Sequence, residues 1–197
     1  MAPPPELRWV ESAALGERDD DDSADDGLIK MAAFVSDFLA NPHPQLGRDG
    51  PVCPFIPRAL KLGTVFFAPV PLPADATAAE VVRVVKAALP QFQALPVAPK
   101  LEQFKCAVLV FTGLPPERVS VILDAHQRLK PLFVARGLMV GEFFPGCPTP
   151  GLHNPEFLPL QSPVPCLAIR TMVKSDHVFL AHEAGLMSHY RALFNKG

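Results

Sequence analysis

The sequence predicts an α+β fold, or its α/β variant: a mixed sheet of about four strands with helices packed on it, in the order α-β-α-β-α-β-β-α. Three observations carry this reading. Four segments place apolar residues at helical spacing, and short runs of β-branched and aromatic residues fall between them. Strands and helices alternate in the middle of the chain, which requires at least one parallel crossover. The last two strands follow one another with no helix between them, which makes them antiparallel.

Element by element, Leu28, Met31, Phe34, Val35, Phe38 and Leu39 lie on one helical stripe that Asn41-Pro42 ends. A Pro/Gly-rich loop over residues 41–59 leads to a strand at 64–70, with Pro69 at its end or on a sheet edge. Thr77 and Glu80 have capping-box spacing and open a helix through Val81, Val82, Val84, Val85 and Leu89 that Pro90 stops. Residues 104–112 form a buried strand. Pro115-Pro116-Glu117 begins a helix towards Gly137, with Pro131 kinking or dividing it. Strands at 138–144 and 166–173 follow, and a last helix capped by Ser175 runs to about Phe194.

A chain of 197 residues with 49% hydrophobic content and a mean hydropathy of +0.20 is long and apolar enough for one domain with a real core. Residues 28–197 are assigned to that domain. Residues 1–27 combine Pro3-Pro4-Pro5 with Glu17, Asp19, Asp20, Asp21, Asp22, Asp25 and Asp26, and are expected to form a disordered acidic leader. The body that remains is mildly basic but has no Lys/Arg cluster and no reader motif, which argues against nucleic acid. There is neither a signal-peptide pattern nor an apolar run of the roughly 18–20 residues that span a bilayer, so a cytoplasmic, membrane-free protein is expected. Cys53, Cys106, Cys147 and Cys166 are too sparse for a disulfide scaffold and read as free thiols or ligands.

Proline is the compositional outlier, with 24 residues, about 12% against a usual ~5%. The excess gathers in two loops, 41–59 and 145–165, and each holds a Cys-Pro pair: Cys53-Pro54 and Cys147-Pro148. Proline after cysteine stiffens the loop and lets the sulfur project towards a metal or haem iron. His43, between Pro42 and Pro44, and His153 lie on the same loops and are competing ligands or acid/base groups. His126 reads as a surface or capped core residue. His182 and His189 lie about 10 Å apart along an ideal helix and cannot chelate one ion; His177 falls in the first turn of that helix. Arg48, Arg58, Arg136 and Arg170 are candidates for pairing with carboxylates. No paired Cys-x-x-Cys, dinucleotide, P-loop, hydrolase-elbow or zincin motif occurs.

The stretch Pro51-Val52-Cys53-Pro54-Phe55, continued through Ala59, Gly63 and Phe66-Phe67, resembles the opening of the YqcI/YcgG-type proteins. In that family a Pro-Cys-x-Phe loop leads to a strand. Leu109-Val110-Phe111 and the Pro-rich turn after it follow the same layout, so that the likeness covers about residues 35–125. Gly141-Glu142-Phe143-Phe144, Gly151-Leu152-His153-Asn154 and Ser162-Pro163-Val164-Pro165 resemble a small bacterial family that shares the His-Pro-x-Leu-Gly-Arg and Val-Cys-Pro-Phe loop.

The resemblance implies a haem-dependent N-oxygenase acting on amino or guanidino groups, with Cys53, His43 or His153 as the axial ligand. The expectation is thus a haem-binding oxygenase of a small nitrogen-containing metabolite. Cys53 and His153 would be its catalytic pair, and Arg48, Arg58, Arg170 and Cys147 would add cofactor contacts. Its partners would be a small-molecule substrate and a redox partner. Two other classes compete: a non-catalytic haem or small-ligand binding protein, and a cofactor-free enzyme with Cys53 as nucleophile and a loop histidine as base.

Overall fold

Phe66, Ala68 and Val70 face one side of the strand Val65–Pro71 (β2), while Val65 and Phe67 face the other, and both sides are buried. A strand buried on both faces needs a helical layer on each. The structure, a computed structural model that describes residues 6–15 and 26–195, supplies them. Its elements are β1 (Val10–Glu11), α1 (Ser12–Leu15), α2 (Asp26–Ala33), α3 (Ile56–Lys61), β2, α4 (Ala78–Ala94), β3 (Cys106–Thr112), α5 (Val121–Val134), β4 (Leu138–Phe143), β5 (Cys166–Thr171) and α6 (Ala184–Phe194).

The five strands run in the order β1-β2-β3-β5-β4. β2 and β3 are parallel, joined by the α4 crossover, and every other pair is antiparallel. The α+β class, the parallel crossover and the antiparallel last pair therefore hold, with one strand more than expected. Helices α4 and α5 cover one face through Val81, Val85, Ala88, Phe92, Ile122, Ala125, Leu129 and Phe133. Helices α2 and α3 cover the other through Leu28, Met31, Ile56 and Ala59. Each fully buried large side chain among these contributes about 1.5–3 kcal/mol relative to exposure. A smaller cluster of Val134, Met139, Met172, Leu180 and Leu186 seats α6 at the β4 end.

Four local expectations are corrected. Part of the leader is ordered: Val10 pairs with Phe67 and Glu11 with Phe66 along the β2 edge, and Leu7, Val10 and Leu15 are buried. The acidic run lies almost wholly outside the described residues. Pro90 does not stop α4, because Phe92, two residues on, is buried in the same stripe as Val85 and Ala88 and its packing outweighs the lost backbone bond. Pro131 likewise sits inside an unbroken α5. The last helix starts at Ala184, and residues Lys174–Phe179 form a separate 3-10 turn, where Asp176 rather than Ser175 accepts the Val173 N–H at 2.8 Å. His182 therefore lies outside α6 and shares no helix with His189.

At the mouth of the crossover, the Leu72 N–H donates to Thr112 O at 2.8 Å and draws two loops together. Gly113 follows with φ +90°, where any Cβ would collide with Leu72 O. Only glycine fits there.

Candidate functional site

The chain leaves α2 through a π-helical turn, Phe34–Leu39, closed by the Ala40 N–H on Val35 O at 3.0 Å. This turn stacks Phe34 on Phe38, with ring centroids 5.0 Å apart. Pro42 then bridges Pro51, and the Val52 and Cys53 N–H groups donate to Asn41 O and Leu39 O at 2.9 and 2.8 Å, which pinches residues 42–51 into a closed loop. Inside it, His43 Nδ1 accepts the Gln45 N–H at 3.2 Å and caps a 3-10 turn, Pro44–Leu46. Gly47 ends that turn with φ +76°.

Arg48 braces the same loop. Its Nη1 donates to Asp49 O at 2.8 Å, and its Nη2 to Pro51 O and Val52 O at 2.8 and 3.1 Å. Three of its five N–H donors are spent on carbonyls. Among the described residues no carboxylate pairs with it.

The 145–165 connection is ordered by its own bonds. The Gly151 N–H donates to Phe157 O at 2.7 Å, the Phe157 N–H to Asn154 O at 3.2 Å, and Ser162 Oγ to Val164 O at 2.6 Å. It folds back so that the Phe144 N–H reaches Leu160 O at 3.2 Å. Length and proline content had marked both loops, and the structure brings them together. Asn154 Nδ2 donates to Gln45 O at 2.8 Å, and a Cβ on Gly47 would lie 2.8 Å from His153 O.

Where the loops meet, the His43 ring stacks on Phe157 at 4.6 Å with an interplanar angle of 13°, and Phe38 closes edge-on at 5.6 Å. Two hollows share His43 as a wall. One, of about 480 Å³, is lined by Phe34, Phe38, Phe157 and Leu158 with Gln45, Glu156 and Gln161. The other, of about 550 Å³, is lined by Pro42, Pro44, Gly47, Arg48, Asp49 and Gly50.

Of the residues expected to hold haem, only His43 and Arg48 share a hollow. Nδ1 of His43 accepts a hydrogen bond, so the neutral ring carries its proton on Nε2 and offers a donor there, whereas an iron ligand offers a lone pair and donates with its other nitrogen. As placed, His43 does not fit an axial haem position. His153 is exposed on the outer loop, and its ring lines neither hollow. Among the described residues no group of three His, Cys, Asp or Glu side chains could hold a metal ion.

Cys53 sits elsewhere. It packs half-buried against the α2/α3 face together with Cys106. Arg170, paired with Cys106 across β3 and β5, is within electrostatic reach of both thiols. Its guanidinium is already bound to the buried carboxylate of Asp176 by bonds of 2.7 and 2.5 Å and lies 5.2 Å from the Phe55 ring centroid. Burial works against the charge of Arg170, but Asp176 outweighs it, and the net shift of its pKa is upward. Arg170 thus holds a carboxylate of its own chain. Arg58, in α3, lies over the Phe104 ring at 4.9 Å and lines neither hollow. Burial pushes the Cys106 thiol up to about 12 and raises Cys166 and Cys147 as well, so these three are poor nucleophiles.

Cys147 belongs to the opposite face of the sheet from Cys53. Near it lies a buried group with no sequence motif. Glu142, pointing from β4 towards α5, accepts from Thr149 Oγ1 at 2.8 Å, and its other oxygen stands 3.1 Å from His126 Nδ1. His126 Nε2 lies 3.1 Å from Val140 O. The alternation of Leu138, Val140 and Glu142 on one side of a strand was the available signal.

Fold and loops define the class: an α+β domain with a five-stranded mixed sheet, carrying an aromatic groove and a polar hollow on two interlocked proline-rich loops. The chain belongs to the DUF6875 family, described as a domain of unknown function, whose family model matches residues 28–197. No curated protein and no solved structure matches it. Among the described residues no helix is long and apolar enough to cross a membrane.

Proposed function

We propose that this chain is a cytoplasmic small-ligand binding protein that takes a planar aromatic metabolite into the groove beside His43. The observation that carries this is the convergence of Phe34, Phe38 and the His43–Phe157 stack on one hollow of about 480 Å³. The hollow is open to solvent, with four apolar and four polar lining side chains, so its rings offer stacking and its polar groups orientation. The ring would lie against Phe34 and Phe38, since Phe157 is buried and its face is covered by His43. His43 Nε2–H would donate to a carbonyl or carboxylate on its rim. Of the classes weighed from the sequence, this favours the binding module over the oxygenase, because the tautomer of His43 supports donation and not iron ligation.

The test is an NMR titration of the full chain with 2-naphthamide, a neutral planar probe with an acceptor carbonyl. Shifts confined to residues 34–43 and 156–161 are expected, with affinity falling about two- to tenfold in Phe38→Ala and in the volume-conserving Phe157→Leu, the worth of one aromatic contact. Absence of binding, or unchanged affinity in both variants, would sink the reading. A Soret titration with haem on wild type and His43→Ala tests the rival: tight binding lost in that variant would restore an iron site.

A further inference from the structure

The second hollow beside His43 has a different chemistry from the first, and it narrows the ligand. Arg48 stands in its wall with its guanidinium fixed by three carbonyl bonds, so little side-chain freedom remains to be lost on binding. Its charge is met only by carbonyl dipoles among the described residues, and two N–H donors remain. A preorganised, half-buried cation without a counter-ion is the complement of a carboxylate. His43 lines this hollow as well as the groove, with its Nδ1 taken by the Gln45 N–H. Gly47 and Gly50, at φ +76° and +89°, curve the loop around the space, and at Gly50 a Cβ would lie 3.5 Å from Arg48 Nη1. One opposing charge lies in the wall, the exposed carboxylate of Asp49.

We propose that this hollow is a carboxylate subsite, in which Arg48 and the His43 Nε2–H receive the acid group of a ligand whose ring occupies the adjoining aromatic groove. The ligand class is then an aromatic or other planar carboxylic acid. The inference rests on the groove reading above and adds the acid to the ring.

The experiment compares 2-naphthoate with 2-naphthamide on the full chain by NMR or calorimetry. Wild type is expected to prefer naphthoate by about tenfold at low salt, with the preference shrinking at 0.5 M salt as a part-exposed ion pair is screened. Arg48→Gln should bring the two probes to equal affinity, whatever the loss of the loop brace does to naphthamide itself. If neither probe binds, the groove reading itself has failed. If both bind wild type alike, or if Arg48→Gln keeps the preference, the groove stands and the carboxylate subsite is overturned. Should Arg48→Gln lose both probes, its loop has gone with the brace, and Asp49→Asn decides. Removing that carboxylate tightens naphthoate alone if Arg48 reads the acid, and an unchanged ratio refutes the subsite.

Discussion

His126 Nδ1 and Glu142 Oε2 stand 3.1 Å apart between α5 and β4, in a place water scarcely reaches, and the other ring nitrogen of His126 faces Val140 O at 3.1 Å. Nε2 can donate to Val140 O, whereas Nδ1 has no aligned hydrogen-bond partner and gains from Glu142 only as an ion pair when the ring is protonated. Burial opposes that charge and outweighs the attraction of Glu142, holding the His126 pKa below its ordinary value. The unfolded chain therefore binds a proton that the fold resists, in the window between the lowered folded value and about 6.5. Stability from this residue is complete above about pH 6.5 and is lost as the pH falls through the folded value. Urea midpoints at pH 7.5 and 5.5 should fall further in wild type than in His126→Gln, and equal losses would show that His126 is not the group responsible.

Asp176 ties the β5 end to the turn before α6, and its carboxylate is 1% exposed. Removing one member of a buried ion pair leaves the other uncompensated, at about 3–5 kcal/mol. Asp176→Asn should approach the lower figure, since Arg170 keeps some solvent. Urea unfolding of wild type and Asp176→Asn at pH 7 reads this loss, and an unchanged midpoint would show that the buried pair contributes no stability.

The parts of the fold that were legible in the sequence are those fixed by periodicity. The Leu28–Leu39 stripe, the Thr77/Glu80 cap and the apolar strands all depend on neighbours within a few residues. The π-helical turn was hidden because Phe34, Val35, Phe38 and Leu39 satisfy an ordinary helical stripe equally well. Val10–Glu11 is too short for any pattern, and its strand state comes from the free edge of β2. Proline content marks 41–59 and 145–165, but neither that they meet nor which atoms they present. The role of His43 is set by one bond to the Gln45 N–H, and the separation of Cys53 from Cys147 by the sheet between them. Those are tertiary facts, and no residue type or spacing encodes them.

The contact between the two loops rests on Gly47, and Gly63 provides its control. Both have left-handed φ, +76° and +64°, so a Cβ at either is strained by about 1–2 kcal/mol. At Gly63 the added methyl meets nothing within 4 Å, whereas at Gly47 it lies 2.8 Å from His153 O and 3.2 Å from His153 Cβ. Backbone atoms cannot swing aside as a side-chain end can, so Gly47→Ala must push the second loop away and stretch the Asn154–Gln45 bond. Gly63→Ala should lower the Tm by roughly 2–8 °C, the strain alone in a domain of this size. Gly47→Ala should lower it further and also weaken 2-naphthamide binding several-fold, because Phe157 rides on the loop that moves while Phe38 and His43 do not. If the two variants lost the same stability and bound the probe alike, the loops would not be coupled through this contact, and the groove would belong to the first loop alone.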